Sequence, residues 1–533
     1  MKTNLHQWTE ELILARLRNQ ELPDDLETQE IVLEIEDLEQ RLSESVTGSS
    51  HASNKSLSNS EHDVLEQRLA YCRAFLAPVR RLPFELLAEI YHLILCSVRD
   101  NSPRPKEQLA PTRALVVLSH VCSFWRKACF STTTLWNDIR IPSLFRNAKD
   151  ARLVEMQLRY SGSSPLDIQI HNFGASREAD MDSARDILEG LISHRERWRK
   201  VLVIGINTWA ELNSACSTVH TQTGDLHFPS LESLLLRDAD HSSVNAFSSA
   251  DLPRLQTMEV HGYNPSSFPF HQLTSLSLVL DRRETRVFRL PRDFTDHLAN
   301  LEHLHLEGEF NYLPNEIGCT DFEHALPKLK SLVIEVYSKP FLTLFLNTFR
   351  LPALLSIEII TPLQDWPQAD FISLLTRSQR LSALTKLSLR WAQITDEQLL
   401  EILHLTESLE ELKVLEDHTN TLSPSLFRAM SISSTPIIVP KLQHIFFSMA
   451  ISEKECPVGI EMVASRSAKS LSSNLDSPSC VPLKSFMLFL ILAYKPVEPP
   501  ASLGKESLRA LRESMEITVR LAARDAPVEE NIL

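Results

Sequence analysis

Leu301-Glu302-His303-Leu304-His305-Leu306 carries the pattern that decides the architecture. Apolar residues stand first, fourth and sixth, and the same phrase, with Met, Ile, Val or Phe admitted, recurs along the chain. It begins at Leu231, Leu255, Leu273, Leu301, Leu329, Leu354, Leu384, Leu409, Leu442 and Leu483, at intervals of 18 to 41 residues. Trp198-x-x-Val201-x-Val203 reads as an earlier copy. Side chains alternate across a strand, so the last two apolar residues of each phrase share one face. A unit this short cannot bury that face alone and must stack on its neighbours. Pro229, Pro253, Pro327, Pro352 and Pro440 stand two residues before the first leucine, ahead of the strand, where a missing N–H costs no ladder bond. Helical stretches separate the phrases. The clearest is Asp396–Leu403 behind Thr395, a natural N-cap.

The positions just before, between and after the two inward residues fall on the opposite face. That set holds Arg237, Thr257, Glu259, His261, His303, His305, Glu307, Glu335, Glu358, Lys386, Arg390, Glu411, Lys413, His444 and Phe446, with apolar Val279, Val333 and Ile360 among them. Signs are mixed, which suits recognition of a protein better than tracking of phosphates. The phrase and its spacing resemble leucine-rich repeats, whose period is about 20–29 residues. The Asn or Cys that often closes that motif is mostly missing. The resemblance implies an α/β leucine-rich-repeat solenoid, a curved parallel sheet over 142–495, whose concave face is this substrate-binding set. Residues 496–533 are expected as a C-terminal cap and tail.

Upstream, residues 5–42 have helical periodicity, with Ile31, Ile35, Leu38 and Leu42 on one stripe. Eight serines over 43–60 mark a linker, and the stripe resumes at Leu65, Leu69, Cys72 and Leu76. The two stretches suit a hairpin or a short coiled coil with a partner. Leu82-Pro83-Phe84-Glu85-Leu86-Leu87 opens a further helix, in which Leu86, Leu87, Ile90, Tyr91 and Ile94 are expected to form one broad apolar face. A polar insert at 97–112 precedes a second helix over Arg113–Phe130, carrying Leu115, Leu118, Val121, Cys122, Trp125 and Cys129 on one side. Leu135–Ile141 alternates like a strand.

Leu82-Pro83-x-Glu85-Leu86-Leu87-x-x-Ile90-Tyr91, then Val121-Cys122-x-x-Trp125-Arg126, then Leu135-Trp136, resembles the F-box. With Arg80-Arg81 before it and Ser161-Gly162-Ser163-Ser164-Pro165-Leu166 after it, the chain is similar to the expanded F-box families of mushroom-forming fungi. Tyr91 stands where Phe is commoner, Ser123 where a basic residue is frequent, and the insert lengthens the gap between helices. The resemblance implies a helical bundle over 78–141, preceded by helical segments over 1–77. It implies docking on the Skp-type adaptor and cullin scaffold of an SCF-type ubiquitin ligase through Leu82, Pro83, Leu86, Leu87, Ile90, Val121 and Trp125, while the repeats hold an unknown protein substrate. The alternative is a repeat scaffold that binds a partner protein without a ligase role.

Composition narrows the field. The 533 residues include only 11 glycines, about 2% where about 7% is usual, so glycine-rich phosphate loops are poorly supplied. Net charge is −15, from 54 basic and 69 acidic residues, which opposes nucleic acid as partner. Eight scattered cysteines form no C-x-x-C pair and fit a reducing compartment. No signal peptide is apparent and no apolar run approaches the ~20 residues that span a bilayer, so an intracellular site, cytoplasmic or nuclear, is expected without a membrane partner. His303, His305 and Glu307 share a strand face and could chelate a metal, but such surface pairs are more commonly plain solvated side chains. No nucleotide, serine-hydrolase or zinc-protease motif occurs. The expectation is a non-catalytic adaptor with no cofactor and no metal.

Overall fold

A computed structural model describes residues 9–19, 21–47, 59–100, 110–141, 148–171, 181–205, 227–237, 251–261, 270–280, 298–308, 324–363, 365–378, 383–415, 422–432, 437–449, 456–467, 480–492, 515–523 and 526–531. The chain divides into two compact units, Met1–Trp198 and Arg199–Leu533. N-terminal helices are followed by a long parallel sheet with helices, an α/β arrangement.

The first unit opens with α1 (Glu10–Asn19), α2 (Asp25–Thr47) and α3 (Asn59–Leu76). The single helix expected over 5–42 is broken at Pro23, where the Glu27 N–H donates to the Asp24 carboxylate at 2.8 Å and the Asp24 N–H to the Glu27 carboxylate at 2.9 Å, a reciprocal pair that starts α2 afresh. Residues 43–47 of the expected linker prolong α2, 59–60 begin α3, and 48–58 lie outside the described residues. Ile13, Ile31, Leu38, Leu65, Leu69, Cys72 and Phe75 pack into one core, so the hairpin is closed within the chain. Arg68–Glu34 at 2.5 Å and Arg73–Glu39 at 2.6 Å fix its register.

Next come α4 (Phe84–Asp100), α5 (Ala110–Ser119) and α6 (Ser123–Ser131). The insert's residues 101–109 lie outside the described residues. The helix expected over 113–130 is two helices, because Cys122 leaves the helical backbone and its Sγ accepts the Trp125 N–H at 3.5 Å as an N-cap. Leu87, Tyr91, Leu95, Leu115, Ala128, Cys129, Leu135 and Trp136 form the core here, and the Trp136 indole donates to the Cys129 carbonyl at 2.7 Å. The unit ends with a parallel pair, β1 (Asp138–Ile141) and β2 (Leu166–His171), and helices α7 (Ala148–Tyr160) and α8 (Met181–Ser193).

The second unit is a sheet whose strands follow chain order: β3 (Trp198–Ile204), β4 (Ser233–Arg237), β5 (Thr257–His261), β6 (Ser275–Val279), β7 (His303–Gly308), β9 (Ser331–Val336), β11 (Ser356–Ile360), β12 (Lys386–Arg390), β13 (Glu411–Leu415), β14 (His444–Met449), β15 (Ser485–Leu492) and β16 (Glu516–Ala523). All of these neighbours pair in parallel, and β17 (Ala526–Asn531) closes antiparallel on β16. A separate parallel pair is formed by β8 (His324–Ala325) and β10 (Phe349–Arg350). Helices α9 (Lys339–Thr348), α10 (Gln368–Arg377), α11 (Asp396–Leu405), α12 (Pro424–Met430) and α13 (Cys456–Ser465) lie between strands in sequence. Every phrase, including the one at Trp198, becomes a strand, and the sheet runs on past residue 495.

The repeating unit is longer than the phrase. Its first leucine N–H bonds the carbonyl three residues back: Leu231 to Phe228, Leu255 to Leu252, Leu273 to Phe270, Leu301 to Leu298, Leu329 to Leu326, Leu354 to Leu351 and Leu442 to Val439. Each of those earlier residues is an apolar side chain in the core. The prolines therefore occupy the second place of a tight turn, where their fixed φ is favourable. The residue after the leucine then bonds to its counterpart one repeat earlier, as Gln256 N–H to Glu232 O and Lys330 N–H to Glu302 O, both near 2.9 Å.

Candidate functional site

Two surfaces answer to the sequence expectations, one in each unit. In the helical unit, α4 presents two stripes rather than one broad face. Leu87, Tyr91 and Leu95 point into the core, and Leu87, expected on the docking surface, is fully buried. About a third of a turn away, Leu86 (51% exposed), half-buried Ile90 and Leu93 (69% exposed) form an outward apolar stripe. Half-buried Leu82 and exposed Pro83 stand at its start. Phe84 meets Phe124 edge-on at 6.4 Å, and the Tyr91 ring meets Trp125 at 5.5 Å. These contacts bring the start of α4 beside the turn that exposes Val121 (59%). Trp125 is half-buried, and its carbonyl accepts the Tyr91 hydroxyl at 3.2 Å. Leu93 belongs to this apolar stripe and is absent from the sequence reading; the i, i+4, i+7 spacing of Leu86, Ile90 and Leu93 is the available signal.

The α1–α2 turn lies against the same region. Ser123 donates to the Arg18 carbonyl at 2.5 Å, and Arg80 reaches the Glu21 carbonyl at 3.4 Å with its guanidinium 5.1 Å from the Phe75 ring centre. Burial pushes the Arg80 pKa below its ordinary value.

In the sheet, the fifteen residues expected on the open face are all half-buried or exposed, and the strand register aligns them in rows. Ile360 is the correction: it is 5% exposed and belongs to the core at the end of β11. Pairs across strands and along them occupy much of the face. Arg237 and His261 both bond Glu259, at 2.7 and 2.8 Å. His261 first, then Arg237, hold that carboxyl below the usual carboxylate range against the opposing effect of burial. Ser277 Oγ and His305 Nδ1 lie 3.0 Å apart, and Tyr337 donates to Glu335 at 2.9 Å. Arg390 lies 3.5 Å from Glu358, and Lys386 lies 2.8 Å from Glu411.

Over β12–β16 the open face sinks into a cleft of about 440 Å³. Lys386, Glu411, Lys413, His444 and Phe446, all expected from sequence, line it together with Ser485, Met487, Glu516 and Thr518, which were not. The Lys413 amine lies 5.4 Å from the Phe446 ring centre, and His444 Nδ1 lies 2.7 Å from Ser485 Oγ. Arg237, Glu259 and His261 are gathered on β4 and β5, away from this cleft.

No protein-family model matches this chain, and no curated protein matches it.

Among the described residues, His303, His305 and Glu307 do not converge as metal ligands; His305 Nε2 and Glu307 are 4.0 Å apart. Within the described residues, three possible ligand atoms come together only at His62, Asp63 and Glu66 on the surface of α3. No described helix is long and apolar enough to cross a membrane.

Proposed function

We propose that this chain is a substrate adaptor of an SCF-type ubiquitin ligase, with an F-box-like helical unit and a leucine-rich-repeat solenoid. Leu82, Pro83, Leu86, Ile90 and Val121 dock on the Skp-type adaptor, and the open face of the repeats holds a protein substrate. The observation that carries this reading is the outward stripe on α4, which leaves Leu86 and Leu93 in water beside exposed Pro83. Large apolar groups clustered on a surface favour a protein partner. The adaptor contributes proximity, raising the effective concentration of substrate at a charged partner enzyme without a catalytic group of its own.

Co-purification of the full chain with a Skp-type adaptor tests the reading. Pro83→Arg and Leu86→Asp change exposed side chains, so the fold is expected to hold while adaptor recovery falls at least about tenfold. Leu87→Asp provides the contrast, since it places a carboxylate in the core and unfolds the bundle. Adaptor recovery unaffected by both surface changes overturns the assignment of this surface, and an unaltered chain that recovers no adaptor is a repeat scaffold without a ligase role.

A further inference from the structure

Three cations stand on β12 and β13, and two of them hold carboxylates: Lys386 pairs with Glu411 and Arg390 with Glu358. The third, Lys413, has no carboxylate within 4.0 Å among the described residues. Its cross-strand neighbour on β14 is Phe446, so the place an acid would fill holds a ring instead. The row continues from Phe446 to Met487 on β15 and Thr518 on β16. A half-buried lysine is thus left over at one end of a cleft whose floor turns aromatic and then thioether. Of the remaining acids that line the cleft, exposed Glu410 stands three residues before Lys413, about 10 Å along the strand, and Glu516 three strands away, about 14 Å at ordinary strand spacing, both beyond the ~8 Å screening length of physiological salt.

We infer that the cleft over β12–β16 takes an acidic peptide segment that sets an Asp or Glu carboxylate on Lys413 and an apolar side chain over Met487. The incoming carboxylate supplies the counterion that the sheet omits, and an anion placed on a partly desolvated ammonium selects strongly against a cation in the same place. Lys413 and Met487 are two strands apart, about 10 Å, which a peptide in the polyproline-II conformation, with about 3.1 Å rise and three residues per turn, covers in about three residues with both side chains on one face. The acid and the apolar residue of the ligand therefore stand three positions apart. This inference rests on the reading of the open face as the partner-binding surface and names what that surface prefers.

The test uses the full chain and fluorescein-labelled nonapeptide pools that fix Asp and Leu three positions apart, with matched pools carrying Lys for Asp or Ser for Leu. Fluorescence anisotropy is expected to show the Asp/Leu pool binding about tenfold more tightly than the Lys/Leu pool. Lys413→Glu is expected to reverse that order and Lys413→Met to erase it, with circular dichroism unchanged. Met487→Ser is expected to remove the preference for Leu over Ser alone. Equal binding of the Asp and Lys pools to the unaltered chain, an unreversed order in Lys413→Glu, or no binding of any pool overturns the inference. Adaptor capture by the same preparations is a separate readout: if it persists while the pools fail, the ligase reading stands and only the cleft assignment falls.

Discussion

Arg466 is fully buried, yet its guanidinium meets carbonyls rather than a carboxylate. Nε donates to Met430 O at 2.7 Å, and the two terminal nitrogens reach Val439 O at 3.1 Å and Ile438 O at 2.5 Å. Burial pushes its pKa below the ordinary value, and the planar fork is what makes three divergent acceptors reachable. Arg466→Met leaves those carbonyls unpaired at about 1–3 kcal/mol each. A loss of several kcal/mol is expected in urea denaturation, with no rescue by Lys, whose compact ammonium lacks the fork. The thiols give a second expectation. Cys72 and Cys129 are buried, which raises both to about 11, whereas Cys96 is exposed. Since the thiolate is the reactive form, alkylation at pH 8 followed by mass spectrometry should label Cys96 well before Cys72 or Cys129. At Glu259 the depressed pKa fixes a pH dependence. Its stabilising contribution is present above the unfolded carboxylate pKa and is lost as pH falls through the lower folded value. The stability gap between the native chain and Glu259→Gln should therefore shrink on acidification below the usual Glu range; a gap constant from neutral pH to acid would rule out this ionic contribution.

The strands were the most readable elements because a two-residue period with Leu, Ile and Val at alternate places has few other solutions. The turns before them were only half read. The sequence draws the eye to the prolines, but what seven of the phrases share in the structure is an apolar residue three before the first leucine and the bond that joins them, as between Leu326 and Leu329; at Leu409 the bond runs to polar Thr406, and Leu483 bonds Arg466 instead. Leu326→Ala is expected to cost about 2–5 kcal/mol as a core truncation. Pro327→Ala, at an exposed turn position, should cost under about 1 kcal/mol, chiefly through unfolded-chain entropy. Equal midpoints for the two variants in urea would show that the turn proline holds the repeat as firmly as the buried leucine, against this expectation. Helix ends were harder to read. A break at Cys122 depends on a thiol serving as an N-cap, a weak acceptor that composition does not mark, and the break at Pro23 was overrun by a periodicity that persists on both sides. The mistaken face of α4 has a similar origin: five apolar residues in a row of turns fit one wide stripe or two narrow ones, and only packing against α5 and α6 decides that Leu87 goes inward and Leu86 outward. On the open face, residue identity was legible but pairing was not. Nothing in the strand pattern indicates that Arg237 and His261 converge on Glu259 while Lys413 is left without an acid.

The two compact units each hold their own core, and the proposed docking residues all belong to one of them while the cleft belongs to the other. Substitutions that share no partner add independently, so Leu86→Asp should abolish adaptor capture with peptide binding intact, and Lys413→Glu should do the reverse. An adaptor works by tethering, and the gain in effective concentration exists only when both grips are on one chain. A reconstituted ligase reaction therefore separates this mechanism from any in which the chain acts on substrate and ligase in turn. Ubiquitin transfer to a protein bearing the acidic peptide should require the unaltered chain. A mixture of the Leu86→Asp and Lys413→Glu chains supplies both activities, but on different molecules, and transfer should stay near the level of either variant alone. Recovery of the full rate by that mixture would mean that the two grips need not share a molecule, and the tethering role would have to be abandoned.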